Sequence, residues 1–144
     1  FMGNYDTNLV ERLLTELSRK EISTLKSMSW GELSTHFSKR GFEAAKSSGL
    51  ALEEAGSLIH DYWVNAVKAV VTLMHNGYTI EGYTWDKLAS HVPLLVKYDE
   101  LSREEQVKDL YMIYEFDPVW FTAQEGSSDL VELFPSVIHW VDWS

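Results

Sequence analysis

Along most of this chain the apolar residues recur every three or four positions, the period of a helix with one buried face. Leu9, Val10, Leu13, Leu14 and Leu17 form the first such stripe and predict an N-terminal helix. In "SWGELSTHFSKRG", Ser29 and Glu32 stand three apart as a capping box, the serine oxygen taking an orphan amide while the glutamate reaches back. The helix expected there runs from about Trp30 to Arg40, buries Trp30, Leu33 and Phe37, and stops at Gly41 in the left-handed conformation. In "LEEAGSLIHDYWVNAVKAVVTLMHNG" the stripe of Leu52, Ala55, Ile59, Tyr62, Trp63, Ala66, Val67, Val70 and Met74 predicts a helix of about 24 residues, ended by Asn76-Gly77. Its apolar face is wide enough to need two neighbours, so this is the expected central helix.

The pattern then changes. "GYTIEGYTWDKLASH" has two glycines and three aromatics without helical period, which predicts a ring-bearing loop or short hairpin with a helical turn after Thr84. The run Pro93 to Val96 reads as core-packing residues leading out of that loop. Ser102 and Glu105 form a second capping box, and Val107, Leu110, Tyr111 and Tyr114 are the stripe of a helix closing near Phe116 at Asp117-Pro118. After it, the β-rich runs "VWFTAQ" and "SVIHWVDW" flank a short helical stretch, "DLVELF", and predict a small terminal hairpin. The fold class expected is therefore mainly α: a small helical domain with a long central helix and a minor C-terminal β element. Its organisation is a helical extension over 2–50, a helical module over 51–117, and a short helix with a β-hairpin over 118–144, all within one compact domain.

Composition narrows the class further. With 144 residues, 45% of them hydrophobic and 13% aromatic, the chain has material for one core. It contains no cysteine, which excludes a disulfide framework and a thiolate zinc site, and no long uninterrupted apolar segment. The expectation is a protein of a reducing compartment, the cytoplasm, with no membrane span. Met2 is the expected natural start, with Phe1 an added residue, and no basic stretch followed by an apolar run marks a leader after it. The net charge of −10 is uneven: residues 1–98 carry eleven acids and ten bases, residues 99–144 eleven acids and two bases. A surface of that sign argues against nucleic acid as a partner and would steer a basic protein toward the C-terminal third.

Chemistry-bearing motifs are sparse. His36, His60, His75, His91 and His139 are scattered without the spacing of a two-histidine metal site, and no nucleophile elbow or phosphate loop is present. Acid pairs such as Glu53-Glu54, Asp99-Glu100 and Glu104-Glu105 point apart on a helix and suit a solvated face. No catalytic residue, metal ligand or cofactor is expected. A better candidate is the aromatic loop, where Tyr78, Tyr83 and Trp85, with His91 and Tyr98 nearby in sequence, supply flat surfaces. Lys87, Lys97 and Arg103 supply positive charge, so rings and cations together suit a nucleotide-type small ligand. The competing reading is that these rings plug the end of a helical core.

The order His60-x-x-Trp63, then "GYTIEGYTWDKLASHVPLLVKYDELSREEQVKD", resembles the RyR domain, the module repeated in ryanodine-receptor channels and found in small bacterial and phage proteins. Gly77, Tyr78, Gly82, His91, Pro93, Leu95, Val96, Tyr98, Leu101, Glu104, Glu105, Lys108 and Asp109 match that pattern as well, over roughly residues 57–115. Val92 separates His91 from Pro93, and Trp85-Asp86 stand where basic residues often follow the loop. The resemblance implies a mostly helical, non-enzymatic binding module. On that expectation Tyr78, Tyr83, Trp85, Lys87, His91, Lys97 and Tyr98 hold a nucleotide-derived ligand. The alternative is an acidic adaptor, or a phage-encoded inhibitor of a host or defence protein, that meets a basic partner through Asp99, Glu104, Glu105 and Asp109. The oligomeric state is left open by the sequence.

Overall fold

The computed structural model describes residues 7–137, and these form eight α-helices and no strand. The helices are α1 (Thr7–Leu13), α2 (Arg19–Leu25), α3 (Trp30–Ser47), α4 (Leu52–His75), α5 (Trp85–His91), α6 (Arg103–Phe116), α7 (Pro118–Thr122) and α8 (Ser127–Val137). The protein is thus mainly α, with α4 its longest helix. Of the two β-rich runs expected to pair, "VWFTAQ" is helical, because Asp117 Oδ1 accepts the Trp120 amide at 3.0 Å and Pro118 fits the first helical turn. Capping here overrides the β propensity of Val119, Trp120 and Phe121. From Ile138 onward the second run lies outside the described residues.

The chain packs as two units that do not follow the boundaries expected from sequence. Among the described residues, 7–36 and 63–95 make one, and 37–62 and 96–137 the other. The chain passes between the units three times among the described residues, twice within a helix.

In the first unit α1 stops at Leu13 rather than running on to Leu17, since the Thr15 amide turns away to donate to Thr72 Oγ1 at 3.0 Å. That hydroxyl in turn donates to the Lys68 carbonyl at 2.8 Å, so one threonine serves both segments. Ser18 and Glu21 then open α2 with a full capping box of the kind seen at Ser29 and Glu32. Val10, Leu13, Leu25, Leu33, Val67, Val70, Val71 and Leu88 fill the interior. The apolar run after α5 is not core-packed as expected: it forms a tight turn over Val92–Leu94 with Pro93 and Val96 exposed, and only Tyr98 beyond it is buried.

The second unit is built on Phe42, Ala45, Ile59, Leu110, Ile113, Phe121 and Phe134, with α6, α7 and α8 packed on one another. Here α3 passes through Gly41 in helical conformation and continues to Ser47. It ends at Gly49, whose φ of 68° lets the Leu50 amide reach back to the Ala45 carbonyl at 3.1 Å. Gly56 on α4 also serves packing: a Cβ there would lie 2.9 Å from Leu110 Cδ2 and 3.1 Å from the Tyr98 hydroxyl.

Candidate functional site

The aromatic loop is organised from its turn outward. The Tyr83 amide closes onto the Ile80 carbonyl at 3.1 Å, with Gly82 at φ 83° in the third position, where type II turns need a glycine. Glu81 offers its carbonyl to the Trp30 amide at 2.7 Å, which fixes the turn against the start of α3. Thr84 Oγ1 accepts the Lys87 amide at 3.2 Å and starts α5, the helix expected after that residue.

These anchors bring together four rings. Trp30 lies 4.7 Å from Tyr83 and 5.6 Å from His91 between ring centroids, and Trp63 lies 4.9 Å from His91 and 6.3 Å from Trp30. Tyr83 and His91 are also joined by a hydrogen bond of 3.0 Å from the phenol oxygen to Nδ1. Edge-on and tilted pairs at such spacings are favourable aromatic contacts. At 4% exposure the Tyr83 ring has little face left for a ligand. His91, Trp63, Trp85 and Lys87 are half-buried and Tyr78 is exposed, so solvent still reaches these side chains. Trp30 was legible in the sequence only as a helix-face residue, and Trp63 only as that and as part of the His60-x-x-Trp63 pattern. Nothing in their spacing signals that a turn fifty residues from Trp30 folds onto it.

Lys97 and Tyr98, expected to join those rings, belong to the second unit. Tyr98 is buried and its hydroxyl donates to Glu53 Oε1 at 2.9 Å, while its carbonyl accepts from Gln106 Nε2 at 2.8 Å. Arg103 forks onto the same Glu53, Nη1 to Oε1 at 2.9 Å and Nη2 to Oε2 at 2.7 Å. The Arg103 hydrogen bonds hold the Glu53 carboxyl below the usual range, and burial together with Glu53 pushes the Tyr98 phenol well up. The positive charge expected of Arg103 is therefore consumed inside the unit. Lys97 keeps an exposed side chain, and its amide donates to Glu100 Oε2 at 3.2 Å.

The four acids expected to face a partner divide into two pairs. Asp99 and Glu104 are exposed. Glu105 instead takes Lys108 at 3.1 Å, and its amide donates to Ser102 Oγ at 3.3 Å, so only the serine half of the second capping box forms. Asp109 turns inward with 18% of its side chain exposed, 3.8 Å from Nδ1 of the buried His60. His60 donates from Nε2 to the Val96 carbonyl at 2.7 Å, which fixes the proton on that nitrogen because a carbonyl only accepts.

Burial, with Glu105 adding to it, raises the Asp109 carboxyl well above its ordinary value. The unfolded chain then releases this proton first as pH climbs from about 4, the native state holds it longer, and stability falls through the native pKa. Asp109→Asn has no such proton. It is expected to be more stable than the parent at about pH 7, with the advantage vanishing near about pH 4, in urea denaturation across pH. An Asn variant that is less stable at neutral pH would instead mean that the contact of the Asp109 carboxyl with His60 outweighs the cost of its burial.

Among the described residues no group of three or more His, Cys, Asp or Glu is placed to hold a metal ion, and no helix is long and apolar enough to cross a membrane. The chain matches no protein family, no characterised protein and no solved structure with which it was compared.

Proposed function

We propose that this protein is a non-enzymatic binding module whose partner is a basic protein, met through the second unit. The observation that carries this reading is how charge divides. Among the described residues the first unit holds six acids and six bases, whereas the second holds fourteen acids and six bases. Three of those six bases, Lys46, Arg103 and Lys108, are already paired with Asp117, Glu53 and Glu105 of the same unit. What the unit presents outward is a predominantly negative field, with Lys39, Arg40 and Lys97 its exposed bases, and such a field repels phosphate backbones and accelerates encounter with a cationic partner. The RyR-domain resemblance supports the same class of protein, and the absence of cysteine suits work in the cytoplasm, as an adaptor or as a phage-encoded inhibitor of a host or defence protein.

The test is capture of a partner on the immobilised protein across a salt series. A basic partner is expected, with retention falling steeply between about 50 and 500 mM salt, and Asp99→Lys with Glu104→Lys weakening it about tenfold. An acidic partner, or retention indifferent to salt, sinks the reading. Asp99 and Glu104 are the residues to reverse because they are exposed, whereas reversing Glu105 or Asp109 would also disturb Lys108 and His60.

A second reading keeps the aromatic loop as the site of a nucleotide-type ligand. What favours it is that Tyr78, Trp85 and Lys87 stay within reach of solvent in the unit that also holds His91. Rings for a base and a lysine for phosphate are the groups such a ligand needs. Tyr78→Ala with Trp85→Ala is expected to abolish nucleotide-induced thermal shifts while helical content is kept. A panel of nucleotides and cyclic oligonucleotides giving no shift with the parent protein defeats it.

A further inference from the structure

We infer that Asn76, at the C-terminal end of α4, is a site of spontaneous covalent modification: its side-chain amide is lost with age, and the turn that carries Tyr78 loosens. Asn76-Gly77 closes α4 with two reaching-back hydrogen bonds. The Gly77 amide donates to the Met74 carbonyl at 3.0 Å, and the Tyr78 amide donates to the Leu73 carbonyl at 3.0 Å. Gly77 takes a φ of 94° to make this closure. Leu73 is fully buried, whereas Asn76, Gly77 and Tyr78 are exposed. A Cβ at Gly77 would meet nothing within 4 Å, so the space beside this peptide is open.

The reaction needs only this dipeptide and water. As the Gly77 nitrogen gives up its proton to hydroxide, its electron pair attacks Asn76 Cγ, and the new N–Cγ bond closes a cyclic imide. The Cγ–Nδ2 bond breaks, and Nδ2 leaves as ammonia with a proton from water. Water then opens the ring at one of its carbonyls. Attack at Cγ breaks the new bond and gives aspartate, while attack at the backbone carbonyl carbon breaks the original peptide bond and leaves isoaspartate, with the chain running through Cγ. Of the four asparagines in the chain, Asn76 alone precedes a glycine. A side chain on the following residue crowds the attacking nitrogen, and Asn4, Asn8 and Asn65 precede Tyr5, Leu9 and Ala66. Asn65 also lies well inside α4, where the helix holds the next amide. At Asn76 the Gly77 amide has to leave the Met74 carbonyl first, and that bond sits in the exposed last turn, where helices open at least cost. Both products place a carboxylate at the negative end of the α4 dipole. Isoaspartate also adds an atom to the backbone between the Leu73 and Met74 carbonyls and the amides that reach them.

The test ages the full chain in warm, mildly alkaline buffer and maps it by peptide mass spectrometry. The Asn76 peptide is expected to convert to aspartate and isoaspartate with release of ammonia, at a rate that rises in proportion to hydroxide, while the peptides holding Asn8 and Asn65 stay unchanged. The converted protein separates from the parent by its extra negative charge. In it, hydrogen exchange at the Gly77 and Tyr78 amides is expected to be about tenfold faster, with exchange in α6 unaltered. Asn76→Gln, whose longer side chain closes the corresponding ring far more slowly, is expected to fold like the parent and to stay unconverted. Absence of conversion in the folded chain overturns the inference, and conversion of the same peptide in urea would then show that the closed turn protects the amide. Conversion at Asn8 or Asn65 ahead of Asn76 overturns it as well, as do charge variants that arise from Asn76→Gln at the parent's rate. Conversion that leaves exchange at Tyr78 unchanged overturns the loosening of the turn.

Discussion

Trp30→Ala is expected to destabilise the protein by about 3–5 kcal/mol, the cost of emptying a large aromatic site in a packed interior. Trp30 is almost wholly buried, touches the rings of Trp63, Tyr83 and His91, and receives at its amide the Glu81 carbonyl that fixes the neighbouring turn. Its loss removes the wall on which Tyr83 and His91 rest. Chemical denaturation gives the magnitude, and near-ultraviolet circular dichroism reports the remaining rings. The result also separates the two uses of the cluster. A variant that keeps its stability but loses a nucleotide-induced shift would mark Trp30 as a ligand wall, whereas a large loss of stability makes it part of the core.

The second large effect is expected at Gly41→Ala, a loss of about 1–3 kcal/mol from overpacking. By helix propensity alone alanine would gain about 1 kcal/mol in the middle of α3, so the sign of the change decides between backbone preference and packing. A Cβ at Gly41 would sit 2.9 Å from Tyr62 Cδ1, 3.0 Å from its Cγ and 3.1 Å from its Cβ. The last of these is one bond from the backbone of α4, so the ring cannot simply rotate clear. Gly49→Ala is the informative companion: nothing lies within 4 Å of a Cβ there, and the strain of a positive φ should cost about 1 kcal/mol by itself. Thermal or urea denaturation of the pair measures both, and a stabilised Gly41→Ala would mean that Tyr62 yields.

Those two glycines show where sequence reading succeeds and where it stops. Helix α4, its end at Asn76-Gly77, the start of α6 after Ser102 and the cap at Asp117 are local events, decided by residues within a few positions of each other, and each forms where the pattern places it. Gly41 carries the same local signal for a helix stop as Gly49, yet only Gly49 takes the left-handed conformation. What distinguishes them is Tyr62, some twenty positions away in sequence, which needs a face without a Cβ. The capping box of Ser18 with Glu21 stands in the sequence just after the leucine stripe, which by itself suggested one helix running to Leu17. The candidate site was legible to the same degree: Tyr78, Tyr83, Trp85, Lys87 and His91 do fall in one unit, while Lys97 and Tyr98, only a few positions further on, fold into the other.

Because each unit is stitched from separated stretches of chain, neither is a fragment that one cut could release. The first lacks its Trp63 half, with the partner rings of Trp30, until residues 63–95 have been synthesised. The second lacks Phe121 and Phe134 until the C-terminal helices follow. On the ribosome the long α4 therefore emerges before either of its apolar ends has all its partners, and the nascent chain has to carry that exposed surface until α7 and α8 have been made.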